Sequence, residues 1–238
     1  MPPRWLPGLS ALVLGVLPAL PAAALELLPT TLQLPAAASR TELWVHNPGP
    51  APWHGRLQIW AWDQQTSAER LQPSDQIIAS PTVIELPAGA RQRVWLLPRT
   101  SMPVAAEQAY RVLLTPDDHR QPRYSLPLFR GGDSGHGRPR LWVEATGSAA
   151  QPVLRLHNGG ERYARLSDLA YQDAQGQQHL LLPGLAGYVL AARDRQWLLP
   201  ARADGYRGGR FQARLQDGQV QVLPAHSPPI AAGAPSGL

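Results

Sequence analysis

Apolar and polar residues alternate along this chain with a period near two, in short runs broken by turn residues. In Thr41–Asn47, Leu43 and Val45 alternate with Glu42, Trp44 and His46. In Arg56–Asp63, Leu57, Ile59 and Ala61 stand opposite Gln58, Trp60 and Trp62. Such alternation predicts half-buried strands. Leu25–Leu34 reads as a strand before them. Thr82–Leu86 and Arg91–Leu97 follow, joined by Pro87-Ala88-Gly89. Proline presets φ there and glycine allows a positive φ, so the pair is a turn signal. Ala109–Thr115 and Arg123–Arg130 complete seven short strands in about 110 residues, the pattern of an immunoglobulin-like sandwich.

Gly131–Gly137 carries four glycines in seven residues and is a linker. The alternation then resumes in Arg140–Thr146, Val153–Asn158, Leu166–Asp173, His179–Leu182, Tyr188–Ala191, Gln196–Leu199, Gly209–Leu215 and Gln219–Leu223. The expectation is an all-β chain of two sandwich domains in tandem, residues 25–130 and 138–226. Residues 227–238, rich in Pro, Ala, Gly and Ser, form a disordered tail. Only Ser101–Gln108 has room for a helical turn.

The first 24 residues differ in kind. Arg4 precedes an apolar stretch from Leu9 to Leu20, Pro18 and Pro21 break it, and Ala22-Ala23-Ala24 offers the small residues a signal peptidase reads. The stretch is shorter than the roughly 20 residues a membrane span needs. Residues 1–24 therefore read as a cleaved export signal, and the mature protein has no membrane insertion.

Composition narrows the function. Proline and glycine number 26 and 21, which a helical protein could not place. All 22 basic residues are Arg, and the net charge is +5. The arginines are scattered, so no nucleic-acid stripe stands out. Cysteine is absent, which excludes disulfides, thiolate metal sites and a Cys nucleophile. The seven His lie too far apart in sequence for a local metal pair. His46-Asn47 and His157-Asn158 read as strand ends running into turns, and Asp117-Asp118-His119 as a polar turn. No nucleophile elbow, zinc motif or phosphate loop is present. No catalytic residue, cofactor or metal is predicted, and the chain does not read as an enzyme. Eight Trp stand beside two Phe. Trp44, Trp60 and Trp62 either form a core layer or serve as binding anchors.

The ordered fragments of the first domain carry a family resemblance. Leu71-x-Pro73-Ser74-Asp75-Gln76-Ile77-Ile78-x-Ser80-Pro81 precedes Ile84-x-Leu86-Pro87-Ala88-Gly89-Ala90-x-Gln92-x-Val94. Glu107-x-x-Tyr110-Arg111-Val112-Leu113-Leu114 and Tyr124-Ser125-Leu126-Pro127-Leu128-Phe129 follow. In this order and spacing they resemble the periplasmic pilus and fimbrial assembly chaperones of the chaperone–usher pathway, in its secreted, spore-coat-type branch. The resemblance spans Leu25 to Phe129 and extends through Leu154-x-Leu156-x-Asn158-Gly159-Gly160.

The resemblance implies two immunoglobulin-like sandwiches in a boomerang arrangement. It also implies a mechanism. A pilus subunit lacks its last strand, and the chaperone lends one along the exposed edge until an outer-membrane usher receives the subunit. The implied partners are a pilus or fimbrial subunit and the usher, and the implied compartment is the periplasm. The implied donor strand is Arg123–Phe129, with Tyr124, Leu126 and Leu128 on the face offered to the subunit or packed into the domain's own core. The family's cleft Arg and Lys, which anchor the subunit's terminal carboxylate, fall on Thr31 and Pro127. Arg111 and Arg123 are the cations near enough in sequence to replace them. The family's final strand usually begins upstream with alternating apolar residues. Here Pro116–Pro122 is polar and closed by proline at both ends. The alternative function is therefore a non-enzymatic exported structural or adhesion protein that has lost strand donation.

Overall fold

The computed structural model describes residues 24–65, 68–100, 106–131 and 137–225. The segment expected to be an export signal, most of the Gly-rich linker and the Pro/Ala/Gly/Ser tail lie outside these residues, as does most of Ser101–Gln108. Every regular element among the described residues is a strand.

The first ten strands form two sheets. One runs β1 (Glu26–Leu28), β3 (Thr41–His46), β8 (Arg91–Pro98), β6 (Ile77–Ser80). The other runs β2 (Leu32–Leu34), β10 (Tyr124–Arg130), β9 (Gln108–Pro116), β4 (Trp53–Gln65), β5 (Ala68–Pro73), with β7 (Val83–Leu86) also paired to β4. The single strand expected over Leu25–Leu34 is two strands. β1 pairs with β3, and β2 runs parallel to β10. Pro29 between them offers no backbone donor and fixes φ, so the chain leaves one sheet there and joins the other. The strands β5 and β6 carry little alternation in sequence, although burial does alternate along Ile77–Ser80. All of β5 is exposed, which leaves no period-two signal to read.

The second domain is a smaller sandwich. Its sheets run β11 (Leu141–Gly147), β12 (Pro152–Asn158), β15 (Arg193–Leu198), and β14 (Gln178–Val189), β13 (Ala164–Gln172), β16 (Arg210–Arg214), β17 (Val220–Leu223). The two strands expected over His179–Ala191 are one. Pro183 and Gly184 sit within β14, whose register against β13 shifts between Leu166 and Ser167 and again near Leu169. Proline is tolerated there because β14 is an edge strand.

Each domain encloses its own apolar core. The first is built from Leu32, Leu43, Val45, Ile84, Val94 and Val112, the second from Leu154, Leu156, Leu166, Tyr171, Val189 and Phe211, with neighbours. Trp53 and Trp62 are buried, whereas Trp44 is exposed. Of the three alternating tryptophans, Trp62 is therefore buried, Trp60 half-buried and Trp44 exposed.

The two His-Asn strand ends prove to be the same device. Asn47 Nδ2 donates to the carbonyls of Ala51 (2.8 Å), Leu86 (3.1 Å) and Pro87 (3.2 Å), and its Oδ1 accepts from Gly49 N. Asn158 Nδ2 donates to Arg162 (2.7 Å), Val189 (3.2 Å) and Leu190 (3.1 Å), and its Oδ1 accepts from Gly160 N. Each amide ties its strand end to the strand opposite. An alanine at either place leaves buried carbonyls unpartnered. Asn47→Ala and Asn158→Ala should each cost about 2–3 kcal/mol in urea unfolding of their own domain; a loss below about 1 kcal/mol would contradict this role.

Candidate functional site

The two domains meet along an aromatic seam. Strand β4 is 13 residues long and overruns its sandwich, carrying Trp62, Asp63 and Gln64 toward the second domain. The last residues of β10 bring Phe129 to the same place, and β13 and β14 supply Tyr163, Tyr188 and Leu190 from their margins. Phe129 stacks on Tyr163 with ring centroids 3.6 Å apart, and Trp62 meets Tyr188 edge-on at 5.7 Å. Polar contacts fix the orientation. Gln64 Nε2 donates to Tyr188 O, and its Oε1 accepts from Leu190 N, both at 2.9 Å. Arg193 Nε donates to Asp63 Oδ1 at 2.6 Å, and Arg195 Nη1 pairs with Glu69 at 3.0 Å. Gly187, at φ +137°, allows that last pair, because a Cβ there would meet Arg195 Nη1 at 2.6 Å.

Burial would raise the Asp63 carboxyl, but hydrogen bonds from Arg193 and Gln64 N outweigh it and hold the group below its usual value. Glu107 behaves differently. Its side chain is 2% exposed, Tyr163 N donates to Oε1 at 2.6 Å, and Arg162 Nε lies 3.6 Å from Oε2. No hydrogen bond reaches Oε2, which is fully buried. Burial dominates and pushes the Glu107 carboxyl up to about 7.

Beside the seam lies an open cleft of about 560 Å³. Thr31, Gln33, Arg111, Tyr163, Arg165 and Tyr188 line it. Arg111 projects from β9 with its guanidinium 3.7 Å from the centroid of the Trp62 ring and 5.8 Å from that of Tyr188. Burial lowers its pKa from the usual value, and the nearby Arg195 charge adds to this, against Glu69 and Tyr188. It remains a cation, since arginine does not deprotonate in proteins. Glu69 itself is held by Arg195. The aromatic faces stand where a carboxylate would otherwise neutralise Arg111.

The structure brings two of the three sequence-predicted anchor residues together. Thr31 and Arg111 both line the cleft, along with Pro127, which sits directly opposite Arg111 in the β9–β10 ladder. Arg123 precedes β10 at the end remote from Phe129 and does not line the cleft. The face carrying Tyr124, Leu126 and Leu128 turns inward. Leu126 and Leu128 belong to the first-domain core, Tyr124 packs against it, and the Tyr124 hydroxyl accepts from Leu25 N at 2.7 Å. On its outer side β10 pairs with β2 only through Leu128–Arg130. Among the described residues, Tyr124–Pro127 has no strand partner on that side.

Upstream, the polar segment closes the hairpin. Asp118 accepts from Arg120 N, Nε and Nη2, each at 3.0 Å, and Asp118 O accepts from Gln121 N. These bonds to Arg120 hold the Asp118 carboxyl below its usual value. Gln64, Tyr163, Arg165 and Tyr188 carry no motif, and Glu107, the first residue of the fragment that holds Arg111, had no role assigned from the sequence. Their partners lie up to 130 residues away. Among the described residues no cluster of three His, Asp or Glu could hold a metal, and no helix is long and apolar enough to cross a membrane.

Residues 24–117 match the family described as pili and flagellar-assembly chaperone, PapD N-terminal domain. Several solved structures share the fold. The chaperone–tip adhesion subunit complex CsuC–CsuE from archaic chaperone–usher pili of Acinetobacter baumannii matches with a TM-score of 0.69 and 21% identity, over 85% of this chain and 99% of that one. The E. coli chaperone DraB matches at 0.56 and 16% identity, over 85% and 98%. The Salmonella enterica SafA pilin–SafB chaperone complex matches at 0.53 and 17% identity, over 83% and 93%. No curated protein matches the chain.

Glu107 makes the seam sensitive to pH. Its carboxyl is raised from 4.5 in the free state to about 7 in the fold. Protonated Glu107 is therefore the favoured folded form, and its contribution is complete below about pH 4.5 and lost as pH rises through 7. Unfolding measured from pH 4.5 to 8 should show this decline relative to Glu107→Gln, which lacks it; parallel profiles for the two proteins would refute the assignment.

Proposed function

We propose, from a first domain that belongs to the pili and flagellar-assembly chaperones, that this protein is a periplasmic chaperone for pilus or fimbrial subunits. It binds by strand pairing and carries out no chemistry on its partner. Residues 1–24 act as its export signal, and an outer-membrane usher receives the subunit.

One observation carries the reading. A cation without a carboxylate partner, Arg111, lies in the interdomain cleft beside the open stretch Tyr124–Pro127 of β10. Guanidinium binds a carboxylate through two parallel hydrogen bonds. A subunit's chain end held at Arg111, with Thr31 lining the same cleft, would lay its last strand along β10. Strand addition there supplies backbone hydrogen bonds. In this reading Tyr124, Leu126 and Leu128 are the lent strand. Leu126 and Leu128 give it rigidity from the core side, and Tyr124 is the member of that face nearest solvent. Arg123 lies beyond the cleft and contributes charge at the strand's entry.

The lent strand is short because the turn held by Asp118 and Arg120 takes the place of its upstream half. Affinity is accordingly concentrated at the cleft. Tagged mature protein drawn from its native periplasm should carry a β-rich subunit in one-to-one ratio. Arg111→Ala should weaken that complex by about 2 kcal/mol or more, roughly thirtyfold, because it strands a buried carboxylate. A clean monomer where subunits are expressed would support the non-chaperone alternative. Unchanged affinity in Arg111→Ala would remove the anchor.

A further inference from the structure

The cleft holds a second guanidinium. Arg165 lies on β13 of the second domain, opposite Tyr188 in the ladder, and lines the same space as Arg111. Its backbone N donates to Gln216 Oε1 at 3.1 Å, but its half-buried side chain has no ion pair or hydrogen bond among the described residues. The surrounding carboxylates are already taken. Arg193 holds Asp63, Arg195 holds Glu69, and Arg162 faces Glu107. No Asp or Glu lines the cleft among the described residues. One domain therefore contributes one unpaired cation, and the other domain contributes a second.

Arg111 stands on β9 of the first domain and Arg165 on β13 of the second, so they line the cleft from different domains. A carboxylate bound through both oxygens at Arg111 has none left for Arg165. We propose that Arg165 binds an acidic side chain close to the subunit's C-terminus, so that the cleft selects subunits carrying two negative charges there. This rests on the chaperone reading above. It makes Arg165 a specificity residue, with Leu185, an exposed apolar neighbour in the cleft, available to the intervening residue. It also implies that recognition needs both domains, since neither alone presents both charges.

The probes are acetylated Ala/Ser hexapeptides ending in Phe, with Glu at the second, third or fourth place from the end. Each has a Gln counterpart and an amidated counterpart. Calorimetry with the intact mature protein should show one position where Glu binds about threefold to fivefold tighter than Gln, the range of a partly exposed ion pair. Arg165→Gln should abolish that ratio while keeping the preference for acid over amide. Arg111→Gln should do the reverse. A Glu-to-Gln ratio near one at every place, the same ratio in Arg165→Gln, or no peptide binding at millimolar concentration overturns the proposal. Failure of the peptide cycle with subunit capture intact removes only the role of Arg165. An intact cycle without subunit capture removes the chaperone reading and leaves a two-cation cleft.

Discussion

The arrangement depends on a half-buried cation held by rings rather than by a carboxylate. Arg111 lies 3.7 Å from the Trp62 ring centroid in a seam between domains. A guanidinium taken out of water is costly unless something compensates it. A desolvated cation–π contact returns about 2 kcal/mol, and it does so without occupying the N–H groups. The donors remain available to an incoming anion. The rest of the seam keeps the Trp62 face in place. Phe129 and Tyr188 pack against the indole, Tyr163 stacks on Phe129, and Gln64 clamps the backbone of β14. The length of β4 follows from this, since a strand ending with its sandwich would not carry Trp62 across the boundary.

The seam also divides charge. On one side Asp63 and Glu107 line a smaller cavity with Arg193; Asp63 is paired with Arg193, and the Glu107 carboxyl lies 3.6 Å from Arg162. On the other side two arginines face open space without an acid. A partner arriving at that side meets an oriented positive field before it meets an apolar surface. The short free edge of β10 is consistent with this order. Tyr124–Pro127 offers few backbone groups, and Pro127 offers no N–H. Binding that relied on the edge alone would be weak, so the cleft has to supply much of the affinity and the register.

The sandwich class was legible because Leu43, Val45, Leu57 and Ile59 alternate cleanly with polar neighbours. β5 was not, since a fully exposed strand has no buried face to alternate. The split of Leu25–Leu34 was hidden for another reason: alternation reports which face is buried and not which sheet a strand joins. The cleft was partly legible. Thr31 and Arg111 both line it; one falls at the place the resemblance implies and the other on the neighbouring strand. Arg123 looked equivalent by spacing, but the direction of β10 carries it away from the seam. Trp62 was visible as an alternating aromatic and in the Ala61-Trp62 fragment of the family pattern, but its place beneath Arg111 was not. Tyr163 and Arg165 had no local signal at all, and Glu107 stood in a family fragment without a visible role, because their meaning comes from contacts across a domain boundary that spacing along the chain does not encode.

The most direct test places a photo-crosslinking amino acid at Ser125, which lies on the open edge of β10 and lines the cleft. The protein is isolated with its bound subunit, irradiated, and the adduct mapped by mass spectrometry. The account predicts crosslinks confined to the subunit's last strand and final residues. Crosslinks to any other part of the subunit, or none in a complex that still forms one to one, would contradict it.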